Sequence, residues 1–189
     1  MPYFNSYLYK TSEICYDIHL KGAMDLKTKK LTTMALLTAI ALTIFMVEAQ
    51  IPPRVPLPGG KIGLSNIVTV YAVFALGPGE AAAILFCRIF LGSIFAGNFS
   101  SILYSAAGGL LAILVTIGLR YVLKKNQLWV AGCLGAVGHS IGQMSMAMIM
   151  TGTSSIAIYL PVMIAISIVT GLFTGLCAQM LVNRGIERW

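Results

Sequence analysis

Lys61-Ile-Gly-Leu-Ser-Asn66 leads into the apolar run Ile67–Leu76, the chain breaks at Gly77-Pro78-Gly79, and a second apolar run carries Glu80 at its start and Arg88 in its middle. Gly and Pro punctuate helices, so the two runs read as separate helices rather than one. Isolated polar groups inside apolar helical sequence mark a chain dissolved in lipid, where each such group is expensive and functional by default. Composition agrees. Hydrophobic residues make up 58%, charged residues 10%, and the mean hydropathy is +0.86, against roughly 45–50% apolar and about 25% charged in a soluble domain. The sequence is that of an all-α, polytopic integral membrane protein.

Six apolar segments are expected to be helices, at 31–50, 62–76, 79–97, 100–123, 128–150 and 155–182. A span of the hydrocarbon core takes about 20 residues, so the 189-residue chain holds six spans and little else, and the second is short. The breaks between them are rich in turn formers: Pro52-Pro53-Arg54-Val-Pro56-Leu-Pro58-Gly59-Gly60, Gly77-Pro78-Gly79, Gly97-Asn98, Lys124-Lys125-Asn126-Gln127 and Thr151-Gly-Thr-Ser-Ser155. Residues 1–26 read as a flexible cytoplasmic N-terminal extension, or as a product of an early start codon, since Met24 begins a more ordinary opening. The extension lacks the apolar core of about 7–15 residues that a signal peptide needs. Residues 27–189 form a single six-helix membrane domain.

The formal charge of +7 does not point to nucleic acid, because the basic residues sit at the ends of apolar segments. Lys21, Lys27, Lys29 and Lys30 precede the first helix, Arg120, Lys124 and Lys125 flank the fourth and fifth, and Arg184 and Arg188 follow the sixth. Only Arg54 and Lys61 fall on the other side, so nine against two puts both termini in the cytoplasm of a multi-pass plasma-membrane protein. The Pro-rich loop, the Asn98 turn and the Thr151–Ser155 loop then face outward. Cys15, Cys87, Cys133 and Cys177 are widely spaced, with no metal or redox pairing pattern, and read as small helix residues.

Arg88 lies near the middle of its helix, where a cation costs about 2.5–3.5 kcal/mol on insertion scales. It has two readings: a structural pair with Glu48 or Glu80, or a contact to a ligand carboxylate or phosphate. Glu80 also suits the positive end of the helix dipole. His139 and Gln143 are four apart and share a helical face. They hold neighbouring helices by hydrogen bonds or line a solute pocket, on a helix thinned by Gly135, Gly138 and Gly142. Lys61, Asn66, Asn98, Ser100, Ser101, Tyr104 and Tyr159 are candidates to converge under the Pro-rich loop, although each singly suits an interfacial anchor or a cap. Met144, Met146, Met148 and Met150 alternate and read as lipid-facing filler. Small residues four apart at Ala35/Ala39, Gly138/Gly142 and Gly171/Gly175 allow close helix contact.

Absent residues narrow the chemistry. Gly59-Gly60-Lys61 lacks the spacing of a P-loop. The only aspartates, Asp17 and Asp25, precede the first apolar helix, so no carboxylate pair is placed to hold magnesium for diphosphate chemistry. No metal or cofactor is expected, and the chain does not read as an enzyme.

The helix count, the cytoplasmic termini, Ala35-xxx-Ala39, the Pro-rich loop and Lys61 to Asn66 leading to Leu76-Gly-Pro-Gly-Glu-Ala81 and Gly92 resemble the substrate-binding S components of energy-coupling-factor vitamin transporters. Lys61 to Asn66, Arg88-Ile-Phe-Leu-Gly-Ser93, Gly97-Asn-Phe99, Tyr104-Ser-Ala-Ala-Gly-Gly109 and Gly138-His-Ser-Ile-Gly-Gln143 more closely resemble a subgroup known as heptaprenyl diphosphate synthase component I, or Gx transporter. The likeness covers about residues 27–182. It implies a non-catalytic subunit that captures a small vitamin-like solute outside and works with a membrane T protein and two cytoplasmic ATPases. Ala35 and Ala39 match the motif that contacts the T protein, the first loop is the candidate lid, and Gln143 and Tyr159 lie where ligand contacts are found in that family. An anionic solute is an expectation from Arg88, not from the resemblance. The subgroup name implies a competing role, as the membrane component of a prenyl diphosphate synthase making the menaquinone side chain, with Arg88, Lys61 and Arg54 serving a diphosphate.

Overall fold

A computed structural model describes residues 2–50, 63–97 and 100–184, with side chains from Asp25 onward apart from Lys125. Among them are six α-helices: α1 Pro2–Gln50, α2 Asn66–Ala75, α3 Pro78–Phe95, α4 Ser100–Val122, α5 Leu128–Thr151 and α6 Leu160–Asn183. Short 3-10 turns at Lys125–Gln127 and Ser154–Tyr159 precede α5 and α6. The chain divides into two compact units, Met1–Leu36 and Leu37–Trp189. In the first, Lys29 pairs with Asp25 one helical turn away at 2.9 Å, a surface pair that supports the helix only slightly. The candidate site lies in the second unit, as does the packing below.

Local chemistry sets the helix ends. The N–H groups of Leu76 and Gly77 both donate to Ala72 O, closing α2. Gly77 has φ +136, open only to glycine, and Pro78 then starts α3 where its missing N–H is not needed. Glu80 sits in the first turn of α3, where a carboxylate suits the helix dipole.

Among the described residues, four segments are long and apolar enough to cross a membrane: Asp25–Gln50, Pro78–Phe95, Ser100–Val122 and Ser154–Asn183. The sequence led us to expect six spans. The other two helices fall short for different reasons. α2 has ten residues, about 15 Å of rise, because residues 63–65 are spent on a turn in which Asn66 N donates to Gly63 O at 3.0 Å. α5 has 24 residues and so is long enough, but His139, Ser140, Gln143 and its glycines dilute its apolar character. Those polar side chains are buried among its neighbours.

α4, α5 and α6 pack antiparallel, as their paired residues run in opposite order. Along α5, Gly142 meets Ala107 and Gly108 of α4, Gly138 meets Leu111 and Val115, and Gly135 meets Thr116. On its other side Gly132 meets Gly171 and Gly175 of α6, Ser140 and Ser167 share a buried hydroxyl hydrogen bond, and Met144 packs on Met163. Gln179 Oε1 of α6 accepts the first N–H of α5, from Leu128, at 2.8 Å. α2 lies over this layer, with Val70 and Tyr71 against Ala131 and Ala178. α3 meets α4 where Leu85 and Ile89 cover Gly109, and Phe45 of α1 lies on Gly92 of α3. Large apolar side chains face outward on α3 to α6, including Phe86, Leu114, Ile149 and Phe173, as lipid contact allows. Met144 corrects the reading of the Met run as lipid-facing: it is fully buried, while Met150 is exposed, because α5 turns 100° per residue and cannot present all four to one medium.

Close approach at the α5–α6 contact yields a clean test. A Cβ on Gly175 would lie 2.7 Å from Trp129 Cα and 2.9 Å from Trp129 O, both backbone, whereas one on Gly118 meets nothing within 4 Å. Gly175→Ala should destabilise by about 1–3 kcal/mol, as overpacking does, and Gly118→Ala should leave stability unchanged or raise it by up to about 1 kcal/mol. Thermal unfolding of the two purified variants in the same detergent measures the difference.

Candidate functional site

At the end of α1, Glu48 is buried in an otherwise apolar turn. Its Oε1 accepts the backbone N–H of Gly63, just ahead of α2. Gly63 has φ +82, a conformation that favours glycine, and it aims this N–H back at α1. Two residues on, Ser65 Oγ accepts a hydrogen bond from Arg88 Nη1 of α3. The Glu48 carboxylate also acts electrostatically on the Arg88 guanidinium. Of the two carboxylates weighed for Arg88, Glu48 is therefore the one in play. Glu80 instead borders Gly77 together with Arg120 Nη1, a guanidinium of α4.

Next to these charges stand two carboxamides. Asn66 opens α2, and Gln143 lies eight residues, about 12 Å, before the end of α5. Both are only 3% exposed. Among the described residues, neither the oxygen nor the nitrogen of either amide has a hydrogen-bond partner, and Arg88 Nε likewise has none. His139 lies between them. A Cβ on Gly63 would stand 3.1 Å from Asn66 Nδ2 and 3.5 Å from His139 Cδ2. One on Gly108 of α4 would stand 2.8 Å from Gln143 Cγ and 2.9 Å from His139 Cε1. α2, α4 and α5 thus converge on one polar group, with Gly63 and Gly108 leaving room for it. A buried amide atom left unsatisfied costs about 1–3 kcal/mol, and four such atoms in adjacent side chains need a physical explanation.

Of the residues singled out from sequence, Asn66, Arg88, His139 and Gln143 come together here. Tyr104 is buried one turn before Gly108 on the same side of α4, with Ser101 and Ser105. Tyr159 is partly exposed in the 3-10 turn before α6 and makes no described contact with this group. Ala35 and Ala39 are exposed on α1 and Ser100 is exposed at the start of α4. Lys61, Asn98, Arg54 and the Pro-rich loop lie outside the described residues. Sequence reasoning passed over the backbone of Gly63, the hydroxyl of Ser65 and the place of Gly108. Their signal was present in the quoted runs Lys61 to Asn66 and Tyr104 to Gly109, as small residues beside buried polar ones.

The geometry offers hydrogen-bond donors and acceptors in a buried interior. Among the described residues, no three His, Cys, Asp or Glu stand together as metal ligands. No curated protein and no solved structure matches the chain. A family model does, the one described as heptaprenyl diphosphate synthase component I, and it aligns with residues 37–181. That alignment runs from the apolar half of α1 into α6 and takes in every residue of the buried polar group, so the chain belongs to the heptaprenyl diphosphate synthase component I family.

Proposed function

We propose that this chain is the solute-binding membrane subunit of an energy-coupling-factor-type importer, a six-span S component that takes up a small vitamin-like molecule from outside. The observation that carries this reading is the two buried carboxamides, Asn66 and Gln143, unsatisfied among the described residues and each close to His139. Structural amides in a membrane interior find partners, because an unpaired one is costly there. Amides poised for a solute stay unpaired until it arrives. The group lies toward the end where α1, α3 and α5 finish, and the distribution of Lys and Arg puts that end outside. In this reading α2, with ten residues, is the short second span, and α5 is the polar one. The exposed Ala35 and Ala39 offer the small-residue contact to a membrane T protein, which in turn engages two cytoplasmic ATPases.

The family description supports a second reading, a non-catalytic membrane component of a prenyl diphosphate synthase. Arg88, with Lys61 and Arg54, would then serve a lipid diphosphate. Against it stands Glu48, whose charge already acts on Arg88 and would repel a diphosphate brought to the same place.

Two measurements separate the readings. Native mass spectrometry of the protein extracted gently from its own membrane should find it with a membrane protein and two ATPases; a stoichiometric soluble prenyl synthase in their place would favour the second reading. In the same preparation, Gln143→Leu should keep those subunits yet lose a bound small molecule that the unaltered protein carries, by at least about tenfold, since loss of a hydrogen-bonded anchor at about 1.4 kcal/mol or more is a factor of ten. Retention of the molecule by the variant would remove Gln143 from the site.

A further inference from the structure

The same polar group carries information on what kind of molecule it takes, given that it is the solute site proposed above. We infer that the solute is uncharged and presents paired N–H and C=O groups, the edge carried by a lactam, a cyclic urea or a nucleobase.

Charge is the first argument. Among the described residues the group contains one cation, Arg88, and one anion, Glu48, and both are buried. Glu48 meets the guanidinium through space and takes the Gly63 N–H at the approach to α2, the place where a helix dipole would otherwise favour an incoming anion. The positive potential of the group is therefore met from within. An anionic solute would place a second negative charge beside Glu48 in a low dielectric, where repulsion is strongest. A cationic solute would do the same beside Arg88.

The second argument is the hydrogen-bond inventory. Each carboxamide has an acceptor oxygen and a donor NH2, and on Asn66 and Gln143 both kinds of atom are unpaired. Exchanging O and N in either amide leaves this unchanged, so it does not depend on how the amides are oriented. A carboxylate or phosphate only accepts and would leave Asn66 Oδ1 and Gln143 Oε1 facing oxygen. An ammonium only donates and would leave both NH2 groups unpaired. A cyclic amide edge satisfies both atoms of a carboxamide at once. The unpaired Arg88 Nε adds one more donor, so the best-fitting solute carries at least one carbonyl beyond those that meet the two amides. Uracil, with two carbonyls and two N–H groups, has that surplus, whereas 2-imidazolidinone has one carbonyl between two N–H groups and a simple lactam has one of each.

Thermal unfolding of the purified full-length protein tests this with three uncharged probes, uracil, 2-imidazolidinone and 2-pyrrolidinone, and two anions, inorganic diphosphate and benzoate. A probe at about five times its Kd stabilises the folded protein by mass action, and for a chain of this size the shift then expected is about 2–4 °C. At least one uncharged probe should produce it, and uracil should exceed 2-imidazolidinone and 2-pyrrolidinone. Asn66→Leu and Gln143→Leu should abolish the shift while leaving the probe-free midpoint unchanged or higher, because each removes an amide that has no partner to lose. A fall in the probe-free midpoint of both variants would assign the amides a structural role and overturn the inference. A shift given by diphosphate or benzoate and lost in Gln143→Leu would overturn it too, while leaving the import reading intact. Silence of all five probes, with no small molecule on the protein by native mass spectrometry, would overturn both.

Discussion

The carboxylate of Glu48 is the interaction on which the rest of the polar interior depends. Near the end of α1 it accepts the Gly63 N–H, and its charge acts through space on the Arg88 guanidinium of α3, so one side chain ties α1 to the approach to α2 and offsets the charge on α3. Removing one partner from such a buried pair is far more damaging than removing both, because the remaining charge is left without compensation. With Gly63 held there, Ser65 reaches the Arg88 guanidinium and Asn66 starts α2 beside His139. The position of the amides follows from the pairing of the charges.

A second constraint comes from α5. Its glycines bring it against the backbones of α4 and α6, and Ser140, bonded to Ser167, ties it to α6. Such tight contact is how helices associate where water supplies no hydrophobic drive between them. It also fixes which way the intervening residues turn, and it puts His139 and Gln143 against Gly108. A helix surrounded in this way tolerates polar residues that lipid would reject, which is why α5 is less apolar than its neighbours and yet the most thoroughly packed of them. Rigid packing on both flanks of Gln143 is what a binding amide requires, since a side chain free to turn would find a backbone carbonyl for itself.

Much of this was legible in the sequence. Gly77-Pro78-Gly79 separates α2 from α3 as expected, and the runs around Arg88, His139 and Gln143 are helical and bury those side chains. Gly138, Gly142, Gly171 and Gly175 sit at close helix contacts within the chain, as their spacing indicated. What could not be read depends on rotation about helix axes, which spacing within one helix leaves open. Glu48 and Glu80 were equal as partners of Arg88 until α1 and α4 were placed beside α3. Met144 and Met150 were alike until α6 covered one of them. The number of spans is blurred by a physical conflict, because the polar residues that give α5 its interest lower the hydropathy by which a span is recognised. Lys61 and Asn98 lie outside the described residues.

Family membership and the buried amides describe one molecule from two directions, a membrane protein of the heptaprenyl diphosphate synthase component I family with a buried polar interior in which, among the described residues, one cation and one anion are in balance. That balance is the central claim, and a double-mutant cycle between Glu48 and Arg88 tests it most directly. Unfolding of Glu48→Gln, Arg88→Met and the double variant should show the first destabilised by about 3–5 kcal/mol and the double variant recovering at least about half of that loss, because no buried charge then remains. A double variant that loses the sum of the two single effects would show that the charges do not compensate each other, and would contradict the account.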